Sequence, residues 1–116
     1  MRVMMLVKAN EESEAGRLPS AQQFAEMGRF NDEMAKAGVL LSADGLRPSS
    51  DGARVVFAAG GHSVIAGPFP ETEDLVAGYW VIEVASMDEA TDWATRIPFR
   101  EGVVELRPVM EAAELG

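Results

Sequence analysis

The sequence aims one carboxylate with a stiff turn: Glu71 follows Gly67-Pro68-Phe69-Pro70, whose two prolines interrupt regular structure and fix the direction of the chain. Partial burial raises the pKa of such a carboxyl and lets it act as a general acid or base. The same group in Glu71-Thr72-Glu73-Asp74 also suits a helix start, where backbone amides satisfy it. Asn31 is a second candidate. On a helical wheel it falls in the arc between Phe24 and Met34, toward the core, where an amide needs either a structural partner or a ligand. Phe69, Trp80 and Tyr79 offer the aromatic lining of a ligand cleft, or plain core packing. His62, the single histidine, follows Gly60-Gly61 at a predicted hairpin turn, either as an exposed turn residue or as a proton shuttle at a cleft mouth.

Other chemistries are excluded by what the 116 residues lack. With no cysteine and one histidine there is no disulfide, no thiolate nucleophile, no cysteine zinc site and no two-histidine metal site. Glu71, Glu73 and Asp74 lack the spacing of a calcium loop, so no metal is expected. There is no phosphate-cradling loop, dinucleotide fingerprint or serine-hydrolase elbow, so no cofactor is expected either. A net charge of -9 argues against nucleic acid and anionic membrane surfaces as partners. That charge is uneven: residues 1–60 carry seven basic and eight acidic side chains, whereas residues 61–116 carry three basic and eleven acidic ones. Met1–Lys8 is far shorter than a signal-peptide core, and no stretch approaches the ~20 apolar residues of a membrane-spanning helix, so a cytoplasmic location is expected.

The elements that position these side chains are readable in outline, and residues 1–116 are expected to form one domain. Residues 2–8 read as a strand apolar on both faces, with Val3, Met5 and Val7 alternating with Met4 and Leu6. Asn10–Leu18 reads as a loop. Ser20 and Gln23 form a capping box for a helix whose apolar stripe is Phe24, Met27, Phe30, Met34 and Ala37, ended by Gly38. Val39–Gly52 reads as irregular, and Ala53–Ala58 and Ser63–Ala66 as a hairpin around Gly60-Gly61. Gly78–Val84 is the clearest strand. Ser86 and Glu89 open a second helix that buries Ala90, Trp93, Ala94 and Ile97, and Val103–Pro108 is a last strand before a helical or frayed tail, Val109–Gly116.

Strand, helix, hairpin, strand, helix, strand is the order of an α+β sandwich, ferredoxin-like, with a mainly antiparallel sheet and two helices on one face. The helices then cover one face of the sheet only. Since strands 2–8 and 79–84 are apolar on both faces, the uncovered face calls for a partner, and a homodimer packed sheet to sheet is expected.

With the elements placed, the sequence resembles the YCII-related, or DGPF-domain, family. The resemblance rests on the opening strand Val3–Val7, on Phe30-Asn31-Asp32-Glu33-Met34-Ala35-Lys36-Ala37-Gly38-Val39-Leu40 and on Gly45-Leu46. It continues through Ala66-Gly67-Pro68-Phe69, Glu71-Thr72 and Gly78–Val84, then Asp88-Glu89-Ala90 with Trp93-Ala94, and Glu105-Leu106-Arg107-Pro108. It implies a dimeric α+β barrel, in which two sheets face each other across an apolar cleft able to take a small molecule. It also implies three kinds of role found in the family: ligand binding without an assigned reaction, small lyase or isomerase chemistry, here through Glu71, and accessory function in sigma-factor regulation. The chain departs from the family pattern where the motif carries Asp. Ala66 stands there, and the histidine of a His–Asp pair has no counterpart in the first helix region, so catalysis by that pair is not expected.

Overall fold

The computed structural model describes residues 1–115 and has three helices and six strands, in an α+β, ferredoxin-like arrangement. The strands are β1 (Arg2–Lys8), β2 (Leu40–Gly45), β3 (Ala53–Ala58), β4 (Gly61–Ala66), β5 (Val76–Glu83) and β6 (Val104–Pro108). The helices are α1 (Glu11–Glu14), α2 (Ala21–Lys36) and α3 (Met87–Thr95). Four strands form one antiparallel sheet in the order β2-β5-β1-β6, while β3 and β4 pair only with each other.

Local chemistry sets the helix ends. The Ser20 hydroxyl accepts from the Gln23 backbone N–H, and the Gln23 side chain accepts from the Ser20 N–H, closing both halves of the box. At the other end Gly38 adopts φ +75, and Val39 N–H and Gly38 N–H donate back to the carbonyls of Met34 and Ala35, a glycine-dependent stop. At α3 the Ser86 hydroxyl caps Glu89 N–H as expected, but the Glu89 carboxylate reaches the N–H of Ala85 rather than that of Ser86.

Alternation along β1 and β5 divides the main sheet into two faces. Val3, Met5, Trp80 and Ile82 point to the helices and pack with Phe30 and Met34 of α2 and Ala90 of α3. The predicted α2 stripe holds over its middle only. Met27, Phe30 and Met34 meet the core, but Phe24 is 59% exposed and Ala37, the C-cap residue, is also exposed, because both ends of α2 lie beyond the buried cluster. Met4, Leu6, Tyr79 and Val81 point to the other face, which neither α2 nor α3 covers, and are half-buried there.

Three further segments differ from the sequence reading. Residues 40–45, read as irregular, form the edge strand β2. Its Ser, Ala, Asp and Gly are weak strand formers, and pairing with β5 imposes the conformation. Within the stretch read as a loop, Asn10 caps the single helical turn α1 through a reciprocal bond pair with Ser13. The tail makes a short 3-10 turn at Ala112–Leu115, and Gly116 lies outside the described residues.

The hairpin β3–β4 stands apart from the sheet. All of its residues are exposed, and the chain spreads to 46 × 45 × 18 Å. Its radius of gyration of 16.2 Å exceeds the about 13 Å of a compact chain of this length. The connection Ala59-Gly60 has positive φ at both residues, the geometry of a two-residue hairpin turn that follows the strand twist.

Candidate functional site

The structure distributes the six sequence-derived residues over four places, with Tyr79 apart from the rest on the sheet face away from the helices. Asn31 and Trp80 meet between α2 and β5, where the Trp80 indole N–H donates to Asn31 Oδ1 at 2.8 Å. The Trp80 ring is also edge-on to Phe30, with centroids 5.7 Å apart, and it is 5% exposed. The amide on the core side of α2 therefore has a structural partner, and both groups lie on the helix-covered side of the sheet.

Phe69 and Glu71 lie in the loop after β4. Arg54, from β3, stacks its guanidinium 3.8 Å from the Phe69 ring centre and pairs with Glu71 at 3.9 Å. The Glu71 carboxylate is more than half exposed. It meets an arginine at the surface rather than an enclosed pocket. A short 3-10 turn at Thr72–Asp74 follows it, and the Asp74 N–H donates to the Glu71 backbone carbonyl.

His62 lies on β4 rather than at the turn, since the strand begins at Gly61 and pairs His62 with Phe57. The two rings are 6.4 Å apart on the exposed hairpin. A shallow surface around the turn is lined by Phe57–His62, and another, between α3 and β6, by Ala94, Ile97, Phe99, Val104 and Leu106 among others. Among the described residues, no group of three or more His, Asp and Glu side chains is placed to hold a metal ion. No helix there is long and apolar enough to cross a membrane.

Two polar constellations were not singled out from sequence. The first is a clasp at the base of the hairpin. The short helix α1 presents Glu14, whose carboxylate accepts from both the backbone N–H and the hydroxyl of Ser49. The Ser49 hydroxyl oxygen in turn accepts from the Phe69 backbone N–H at 3.0 Å. These bonds hold the Glu14 carboxyl below its ordinary value of 4.5, with the Ser49 hydroxyl as the main cause. A carboxyl depressed on folding contributes stability above its unfolded value and loses it as the pH falls through the folded one. Thermal melts run from about pH 6 down to about pH 3 should therefore drop more steeply below pH 4.5 for the wild type than for Ser49→Ala. Parallel curves would refute this assignment.

The second lies on the open sheet face. The Tyr79 hydroxyl donates to Asp44 Oδ2 at 2.9 Å, and this bond to a carboxylate raises the phenol pKa. Asp44 and Tyr79 are direct cross-strand neighbours of β2 and β5. Tyr79 was legible as an aromatic of the clearest strand. Asp44 was not, because it sits in the segment whose strand character comes from pairing. Beside Tyr79 on this face are Leu6, opposite it on β1, and Met4 and Val81, with Glu105 and Arg107 of β6 beyond. The result is a small apolar centre of Met4, Leu6, Tyr79 and Val81, carrying one oriented phenol–carboxylate pair. It is framed by Ser42 and Asp44 on one side, by Arg2 and Glu83 at the strand ends and by the Glu105–Arg107 ion pair on the other.

Residues 1–113 match the YCII-related domain. An uncharacterised protein of Rhizobium meliloti (strain 1021) is 35% identical over 87 residues, covering 72% of this chain and 70% of that protein. The chain belongs to the YCII-related domain family.

Proposed function

We propose that this protein is a homodimer whose two sheets face each other and enclose an apolar cleft for a small, largely apolar molecule, with Tyr79 and Asp44 as its polar anchor. The observation that carries this reading is the open sheet face, where Met4, Leu6, Tyr79 and Val81 form an apolar centre around the hydrogen-bonded phenol. A surface of that kind is kept from water by a partner, and pockets of this chemistry orient a ligand with few polar groups.

The surface area supports assembly. The chain exposes 8109 Å², against about 6,200 Å² for a compact monomer of its mass. The difference, roughly 1,900 Å², is within the range that one subunit buries in an obligate dimer. The His–Asp pair of the family has no place in this reading, because Ala66 offers only a methyl group and His62 is on the hairpin.

The test combines mass and ligand response. Light scattering at about 10 µM should give the mass of two chains, and a thermal-shift screen of small phenols, aromatic acids and lactones should yield stabilising compounds. Tyr79→Phe should lower the affinity of hits bearing a hydrogen-bonding group by about 5–10-fold, as expected for one lost bond of about 1 kcal/mol. A single-chain mass or a flat screen would overturn the proposal.

A further inference from the structure

We infer that the β3–β4 hairpin is an arm that packs on a second copy of this chain, an inference that rests on the dimer proposed above and adds a second contact surface to it. Cross-strand pairing places Val55 opposite Val64 and Phe57 opposite His62 on one face of the arm. Val55, Phe57 and Val64 are 52%, 79% and 65% exposed, and none belongs to the core. The opposite face carries Arg54, which is tied back to Phe69 and Glu71 of its own chain. One face is thus tied to its own chain through Arg54, with Val56 and Ile65 beside it 43% and 48% exposed, and the face of Val55, Phe57 and Val64 is the more open of the two.

Charge selects the occupant. Residues 52–70 contain no acidic side chain, one arginine and the single histidine, whereas all nineteen acids lie elsewhere in the chain. Two copies of a chain of net charge -9 repel each other, and this acid-free segment is the part that approaches an acidic partner without like-charge repulsion. The area argument agrees, since the excess exposed surface suits a large interface and the arm contributes the exposed hydrophobic residues Val55, Val56, Phe57, Val64 and Ile65. In a two-fold dimer both arms make the same contact, and the interface closes on itself.

The experiment uses the full chain. A photo-crosslinking phenylalanine analogue replaces Phe57, and equal amounts of isotopically light and heavy protein are mixed before illumination. Crosslinked peptides joining light to heavy chains are the expected result, whereas crosslinks confined to single chains would overturn the inference. In parallel, the double substitution Phe57→Asp with Val64→Asp should raise the dimer dissociation constant by about 100-fold while leaving the circular dichroism of the main sheet and helices unchanged. Wild-type affinity in this variant overturns the arm. If Leu6→Asp alone then yields single chains, the facing-sheet dimer survives without the arm, and a single-chain wild type would overturn both readings.

Discussion

Trp80→Ala should lower stability by about 3–5 kcal/mol, the cost of deleting a large aromatic from a packed interior. Trp80 is 5% exposed and contacts Phe30 and Phe99 ring to ring, so the space it leaves is bounded by aromatic groups and by Val3, Met5 and Ile82 on the strands. The loss also strands Asn31, whose Oδ1 accepts the indole N–H. For a chain of this size the shift corresponds to a melting temperature lower by about 12–20 °C. Trp80→Phe separates the two contributions. It keeps most of the ring packing and removes the donor, so a loss of about 1–2 kcal/mol is expected. Thermal or urea unfolding followed by circular dichroism measures both, and equal losses in the two variants would refute the packing account.

Gly67→Ala should disrupt the base of the hairpin while sparing the sheet. A Cβ at residue 67 would lie 1.7 Å from the backbone carbonyl oxygen of Ser49, and a backbone atom has no flexible end that can move aside. Either the Ser49–Asp51 turn or the strand end at residue 67 must shift by more than an ångström. The bonds from Ser49 to Glu14, from Phe69 N–H to the Ser49 hydroxyl, and from Gly67 N–H to the Gly52 carbonyl should break in consequence. Overpacking of this kind costs about 1–3 kcal/mol. Its signature is local: proteolysis within residues 47–75 should accelerate by about 10-fold or more, while the fluorescence of buried Trp80 is retained. Unchanged cleavage would mean that the turn absorbs the methyl group. If the hairpin serves the dimer, the same variant also weakens association.

Much of the fold was legible because it depends on short-range chemistry. The Ser20–Gln23 box, the glycine stop at residue 38 and the two-faced apolar alternation of β1 and β5 are each set by neighbours within a few residues. These were enough to imply an α+β sandwich with one sheet face left open. The candidate site was less legible. Asn31 was expected to face the core with a partner or a ligand, and that partner, Trp80, lies forty-nine residues away. The aim of Glu71 was read from its prolines, but its meeting with Arg54 depends on how β3 lies against the loop after β4.

By itself the sequence determined the acidic, cysteine-free chemistry and the amphipathic periods that sort residues to the two sides of a sheet. Tertiary structure decided three things. Pairing with β5 made residues 40–45 a strand and set Asp44 beside Tyr79. The main sheet closed without β3 and β4, leaving them as a protruding hairpin. The Glu14–Ser49 clasp tied that hairpin's base to α1. The first and third join groups far apart in the chain, and the second follows from which distant strands pair, so the free energy comes from burial and hydrogen bonds formed only on assembly. Local propensity carries no record of such contacts, so they are absent from any reading of neighbouring residues.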